Sequence, residues 1–64
     1  MSELKPREIE ALRLYGQYGR IIDVAQAMGL SRQTVKNMLS DIYRVLEVPG
    51  AVAAVYAVFV EPND

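Results

Sequence analysis

Arg32, Gln33, Lys36 and Asn37 lie within six consecutive residues and mix cations with carboxamides. That mixture suits the edges of nucleobases. Gln33 and Asn37 can each pair bidentately with adenine, while Arg32 or Lys36 can donate to the acceptors of guanine. Gln33, Asn37, Ser40 and Arg44 are spaced by three or four residues and share one face of a helix. Thr34, Ser40, Arg44 and, further upstream, Arg20 carry donors for phosphate oxygens, contacts that set register rather than read sequence. Taken singly, Gln33 or Asn37 reads as the wet side of an amphipathic helix. The whole face, joined to a turn that presents it, reads as a duplex-binding surface.

Other chemistries are weakened by what the chain lacks. It contains no histidine and no cysteine, which removes imidazole proton shuttles, thiol nucleophiles, disulfides and the usual zinc ligands. Glu8 and Glu10 are two apart on an expected helix and do not face each other, so they read as a solvated face rather than an acid/base pair. Gly16 and Gly19 lack the following Lys-Ser/Thr of a phosphate loop and read as a turn. The expectation is a non-enzymatic domain with no metal and no cofactor. Absent cysteines fit a reducing cytoplasm, and Met1 leads straight into Ser-Glu-Leu-Lys, without a secretory signal. The longest apolar run, Ala51 to Val60, has ten residues against the roughly twenty that span a bilayer.

The formal net charge of −1 argues mildly against a nucleic-acid partner, whose phosphates are neutralised by Lys and Arg. Distribution matters more. Glu3, Glu8, Glu10, Glu47, Glu61 and Asp64 concentrate toward the ends, whereas Arg32 to Arg44 holds three basic residues and one acid, Asp41.

Positioning that face requires four helices, at about 5–18, 21–28, 31–46 and 51–60, in a single all-α domain. Pro6 suits the first helical turn; Lys5 stands at the N-cap but offers no acceptor, and Ser2 could cap an earlier start. Ile9, Leu12, Leu14 and Tyr15 recur at helical spacing until Gly16 and Gly19 loosen and stop the helix. Ile21, Val24, Ala25 and Met28 line one side of the second helix, which Gly29 ends. Ser31 caps the third, with Val35, Leu39, Ile42 and Leu46 as its core stripe and Met38 beside them. Val48-Pro49-Gly50 breaks it. In the last segment Val52, Val55, Tyr56 and Phe59 form one face and Ala51, Ala54 and Val58 another. A terminal helix apolar nearly all round cannot bury both faces on so small a core, and such surfaces mark interfaces.

Small Ala25, the Gly29 turn four residues on, and Val35 six residues beyond it give the spacing of a helix-turn-helix. Leu4-Lys-Pro-Arg-Glu-Ile-Glu-Ala-Leu-Arg-Leu14, Val24-Ala25, Gly29-Leu-Ser-Arg-Gln-Thr-Val-Lys-Asn37 and Leu39-Ser-Asp-Ile-Tyr-Arg-Val-Leu-Glu-Val48 resemble the LuxR/GerE-type DNA-binding domain. The resemblance implies that the third helix enters the major groove and that the fourth forms a dimer contact. It also implies a transcription regulator, here without a receiver or ligand-binding domain. The chain departs from the family at Lys5, normally Ser/Thr; at Ile21-Ile22, normally a polar Asn-Lys pair; and at Met38, normally histidine.

The first reading is therefore a homodimer on double-stranded DNA, joined through Val52, Val55, Tyr56 and Phe59. Dimerisation also suits a chain of 64 residues that is 52% apolar, because a fold this short buries only about 60% of its surface and has no disulfide or metal to add. The alternative, favoured by Ile21-Ile22 and the apolar tail, is a small inhibitor that pairs with a LuxR-type regulator or with RNA polymerase. A promoter-reading sigma-factor domain is a weaker third reading, since Tyr43-Arg44-x-Leu46-x-Val48 fits the LuxR type better.

Overall fold

The computed structural model describes residues 4–60. Along them run α1 (Pro6–Tyr18), α2 (Ile21–Met28) and α3 (Arg32–Leu46). A fourth helix, α4, starts as Ala51–Val55 and continues as a π-helical turn over Tyr56–Val60. No strand occurs among the described residues. Ser2, the alternative cap, lies outside them.

Each helix ends for a local reason. Lys5 is the N-cap of α1, and its lack of a side-chain acceptor is met from the other side: the Lys5 backbone N–H donates to Glu8 Oε1 at 3.0 Å. Glu8, expected only as part of a solvated face, thus completes half of a capping box. Gly19 sits at φ 79° and donates its N–H to the Tyr15 carbonyl at 2.8 Å, a left-handed stop. α2 ends in a Schellman turn, with Leu30 N–H on Ala25 O at 2.9 Å and Gly29 N–H on Gln26 O at 3.3 Å. Ser31 Oγ caps α3 by accepting from the Thr34 N–H at 3.1 Å.

The far end of α3 repeats the Schellman pattern: Val48 N–H reaches Tyr43 O at 3.0 Å, and Glu47 N–H reaches Arg44 O at 3.2 Å. Here the left-handed residue is Glu47, at φ 57°. A side chain at positive φ costs about 1–2 kcal/mol, only part of which glycine gives back through its freer unfolded chain. Glu47→Gly is therefore expected to raise stability by about 0.5–1 kcal/mol, seen as a thermal midpoint several degrees higher. An unchanged or lower midpoint would contradict this.

The core is one cluster: Ala11 and Leu12 from α1, Val24 and Ala25 from α2, Val35, Leu39 and Ile42 from α3, and Ala54 from α4. Leu46, expected with the α3 stripe, is only half-buried, because it packs on the rim of the cluster at the helix's last turn. Ile9 is also half-buried, and Ala11 shares the buried position with Leu12. Gly16 does not help to stop α1, which runs on to Tyr18. Its missing side chain makes room instead, since a Cβ there would lie 3.3 Å from Val55 Cγ2. α4 leaves the axis of α3 at 65° and packs on α1 and α3. No single helix among the described residues is long and apolar enough to cross a membrane.

The expected apolar face of α4 divides. Val52, Tyr56 and Phe59 are exposed, Val52 at 86%, whereas Val55 is half-buried against α1. Val60 joins the exposed group at 58%. It follows Tyr56 by four residues, through the π-helical turn.

Candidate nucleic-acid interface

α2, its glycine turn and α3 form a compact angle. Ala25 is 3% exposed, so the two backbones come close where a larger side chain would hold them apart. With Val35, Leu39 and Ile42 turned into the core and Met38, Tyr43 and Leu46 packed at its edge, the opposite side of α3 must face out. Arg32, Gln33, Thr34, Lys36, Asn37, Ser40 and Arg44 are all exposed, as is Arg20 ahead of α2. Gln33 Nε2 donates to Asn37 Oδ1 at 3.0 Å, which places both carboxamides on the shared face their spacing predicts. The pairing holds them oriented, and an exposed bond of this kind gives way to a better partner at little cost.

Ser31 ties the start of this face together. Its hydroxyl donates to Thr34 Oγ1 at 2.9 Å while its oxygen holds the Thr34 amide. A depression of about 550 Å³ lies here, lined by Ile21, Ser31, Arg32, Gln33 and Lys36. A smaller one, about 190 Å³, continues past Lys36 and Ser40 to Tyr15 and Tyr43. Ile21 borders both, so an apolar side chain stands beside the cations. Ile22 projects outward at 40% exposure. Burial, and then the neighbouring Tyr15 phenol, raise the Tyr43 hydroxyl above its ordinary pKa of 10.0.

The charges on this surface are unequal in availability. Arg44 Nη1 lies 2.9 Å from Asp41 Oδ1, and Arg20 Nε lies 3.4 Å from Asp23 Oδ2. On α1, Arg7 approaches Glu10 at 3.9 Å. Arg32 and Lys36 have no ion-pair partner among the described residues. Both stand toward the N-terminal, positive end of α3, and no acid occupies its first turn. They are also like charges at i,i+4. Each circumstance costs the isolated fold a few tenths of a kcal/mol. An anion placed at this end of α3 relieves both.

Sequence reasoning treated Arg20 and Arg44 as simple phosphate donors and did not assign Asp23 and Asp41 to them. The signal was present: both pairs are i,i+3 neighbours, the spacing at which helical side chains meet. Among the described residues no group of three carboxylates forms a cation site. Comparisons with protein-family models, with curated proteins and with solved structures return no match.

Proposed function

We propose that this chain is a DNA-binding transcription regulator of the LuxR/GerE type, acting in the cytoplasm as a homodimer and without catalytic activity. Its third helix would lie in the major groove, with Arg32, Gln33, Lys36 and Asn37 toward base edges and Thr34 and Ser40 toward phosphates. Arg20 and Arg44 reach phosphates once they leave Asp23 and Asp41. The observation that carries the reading is the placement of Arg32 and Lys36: two exposed cations, unpaired among the described residues, one at the positive end of α3 and the other a turn further along it. Self-stabilisation disfavours them there, and an anionic partner accounts for them. The helix-turn-helix spacing supports a duplex as that partner, because it projects that end of α3 out of the fold.

Few cations mean weak binding by one copy. Two copies joined through α4 would engage two half-sites, roughly one helical turn or about 10 base pairs apart, and gain affinity through linkage. Selection from a random duplex pool should therefore enrich a two-fold symmetric site with that spacing. Val52 and Tyr56 are the substitutions that test the dimer, because they are exposed and Val55 is not. Val52→Glu/Tyr56→Glu is expected to give a folded monomer by sedimentation. A dimer of unchanged mass would contradict this.

A second reading is kept because particular observations favour it. Ile22 and Tyr18 are exposed apolar side chains, and two of the arginines are already paired with carboxylates. Under that reading the chain pairs with a LuxR-type regulator or with RNA polymerase and blocks it. Failure to bind duplex at low salt, together with co-elution with either protein, would favour it.

A further inference from the structure

The two arginines that would grip phosphates outside the base-reading cluster are both held by carboxylates three residues away. Arg44 meets Asp41 at 2.9 Å and Arg20 meets Asp23 at 3.4 Å. We propose that Asp41 and Asp23 limit the strength with which this surface grips phosphate. Each takes up a guanidinium that phosphate would otherwise bind and adds a charge that phosphate repels. The inference rests on the duplex-binding reading of α3.

The helix dipoles favour Asp23 in the first turn of α2 and Arg44 in the last turn of α3, but the fold gains little from the pairing itself. All four side chains are exposed, from 37% for Asp23 to 75% for Arg44, and ion pairs in water contribute little to stability. Their consequence falls on a ligand. Carboxylate and phosphate compete for the same guanidinium donors, and every duplex offers phosphate whatever its sequence. Occupying Arg20 and Arg44 therefore lowers affinity for all sequences alike. Contacts from Gln33, Lys36 and Asn37 to bases are spared. Asp41 and Asp23 thus hold down the sequence-independent part of the binding and leave the ratio between sequences to the base contacts. Asp41 is well placed for this, one helical turn beyond Asn37 on α3.

The test is fluorescence anisotropy of the full chain with a short random-sequence duplex over a series of salt concentrations. Asp41→Asn and Asp23→Asn are expected to bind several-fold more tightly than wild type. Their plots of log affinity against log salt should each steepen by about 0.9, the increment for one added phosphate contact. Asp41→Asn/Arg44→Ala should lose that increment, because the freed arginine is gone. Melting curves accompany each variant, and should Asp23→Asn fold poorly, the Asp41 variants decide. Asn variants with the affinity and slope of a wild type that binds would overturn this inference alone. So would a gain that survives removal of Arg44. Absence of binding by every protein at low salt would overturn the duplex-binding reading along with it.

Discussion

Ile42→Ala leaves the chain without a cooperative melt above room temperature. Ile42 is fully buried, in one cluster with Leu12, Val24 and Val35. Truncating a side chain in such a place costs about 2–5 kcal/mol, part transfer and part residual cavity. A core in a chain this short rarely supplies more than about 3–5 kcal/mol in all, so the loss is of the same size as the whole. Ile42 belongs to the helix that carries Arg32 and Lys36, and duplex binding should disappear with the fold. Val45→Ala, on the same helix but 41% exposed, is the control and should shift stability by no more than about 0.5 kcal/mol. Far-ultraviolet circular dichroism during heating reads both. A midpoint for Ile42→Ala within a few degrees of wild type would contradict the packing of α3 on α1 and α2.

Arg32→Ala/Lys36→Ala separates function from stability. If both side chains meet bases, each truncation costs about 1–3 kcal/mol of duplex affinity, so the double variant should lose binding about thirty-fold or more. Stability should hold or rise slightly. The substitution removes a like-charge i,i+4 contact and two cations from the positive end of a helix, and alanine is the best helix former. A purely structural role predicts the opposite, with stability and affinity falling together. Thermal melting and a duplex titration on the same preparation distinguish the two. An unchanged affinity would remove Arg32 and Lys36 from the interface.

Much of the fold was legible because its punctuation is chemical. Gly19 and Gly29 supply left-handed stops, Pro6 opens α1, and Ser31 caps α3. The helices accordingly begin and end within a residue of where those signals put them. The α3 stripe of Val35, Leu39 and Ile42 was equally readable from its period. What stayed hidden depends on geometry across elements or on the less familiar partner of a motif. Glu8 capping backward onto Lys5 is one case, since attention falls on the N-cap side chain first. Gly16 is another. Its role is the approach of Val55 from α4, and nothing local marks that contact. Glu47 in a left-handed turn offers no glycine to announce it. The π-helical turn in α4 could not be seen in a run of valine and alanine whose side chains suit either winding.

The candidate site was legible in its members and less so in its electrostatics. Gln33 and Asn37 do share a face, and all eight residues nominated for base or phosphate contact are exposed. Three basic residues against one acid leave two positive charges along Arg32 to Arg44, and the Asp41–Arg44 pair decides where they sit. The unpaired positive charge of α3 is concentrated in Arg32 and Lys36.

Duplex binding by α3 is decided by titrating wild-type chain against duplex DNA at increasing salt. With Arg20 and Arg44 taken up by Asp23 and Asp41, the two free cations Arg32 and Lys36 predict that log affinity falls linearly with log salt at a slope of about −2 per copy, steeper if two copies bind together. No binding at low salt, or an affinity indifferent to salt, would contradict the account.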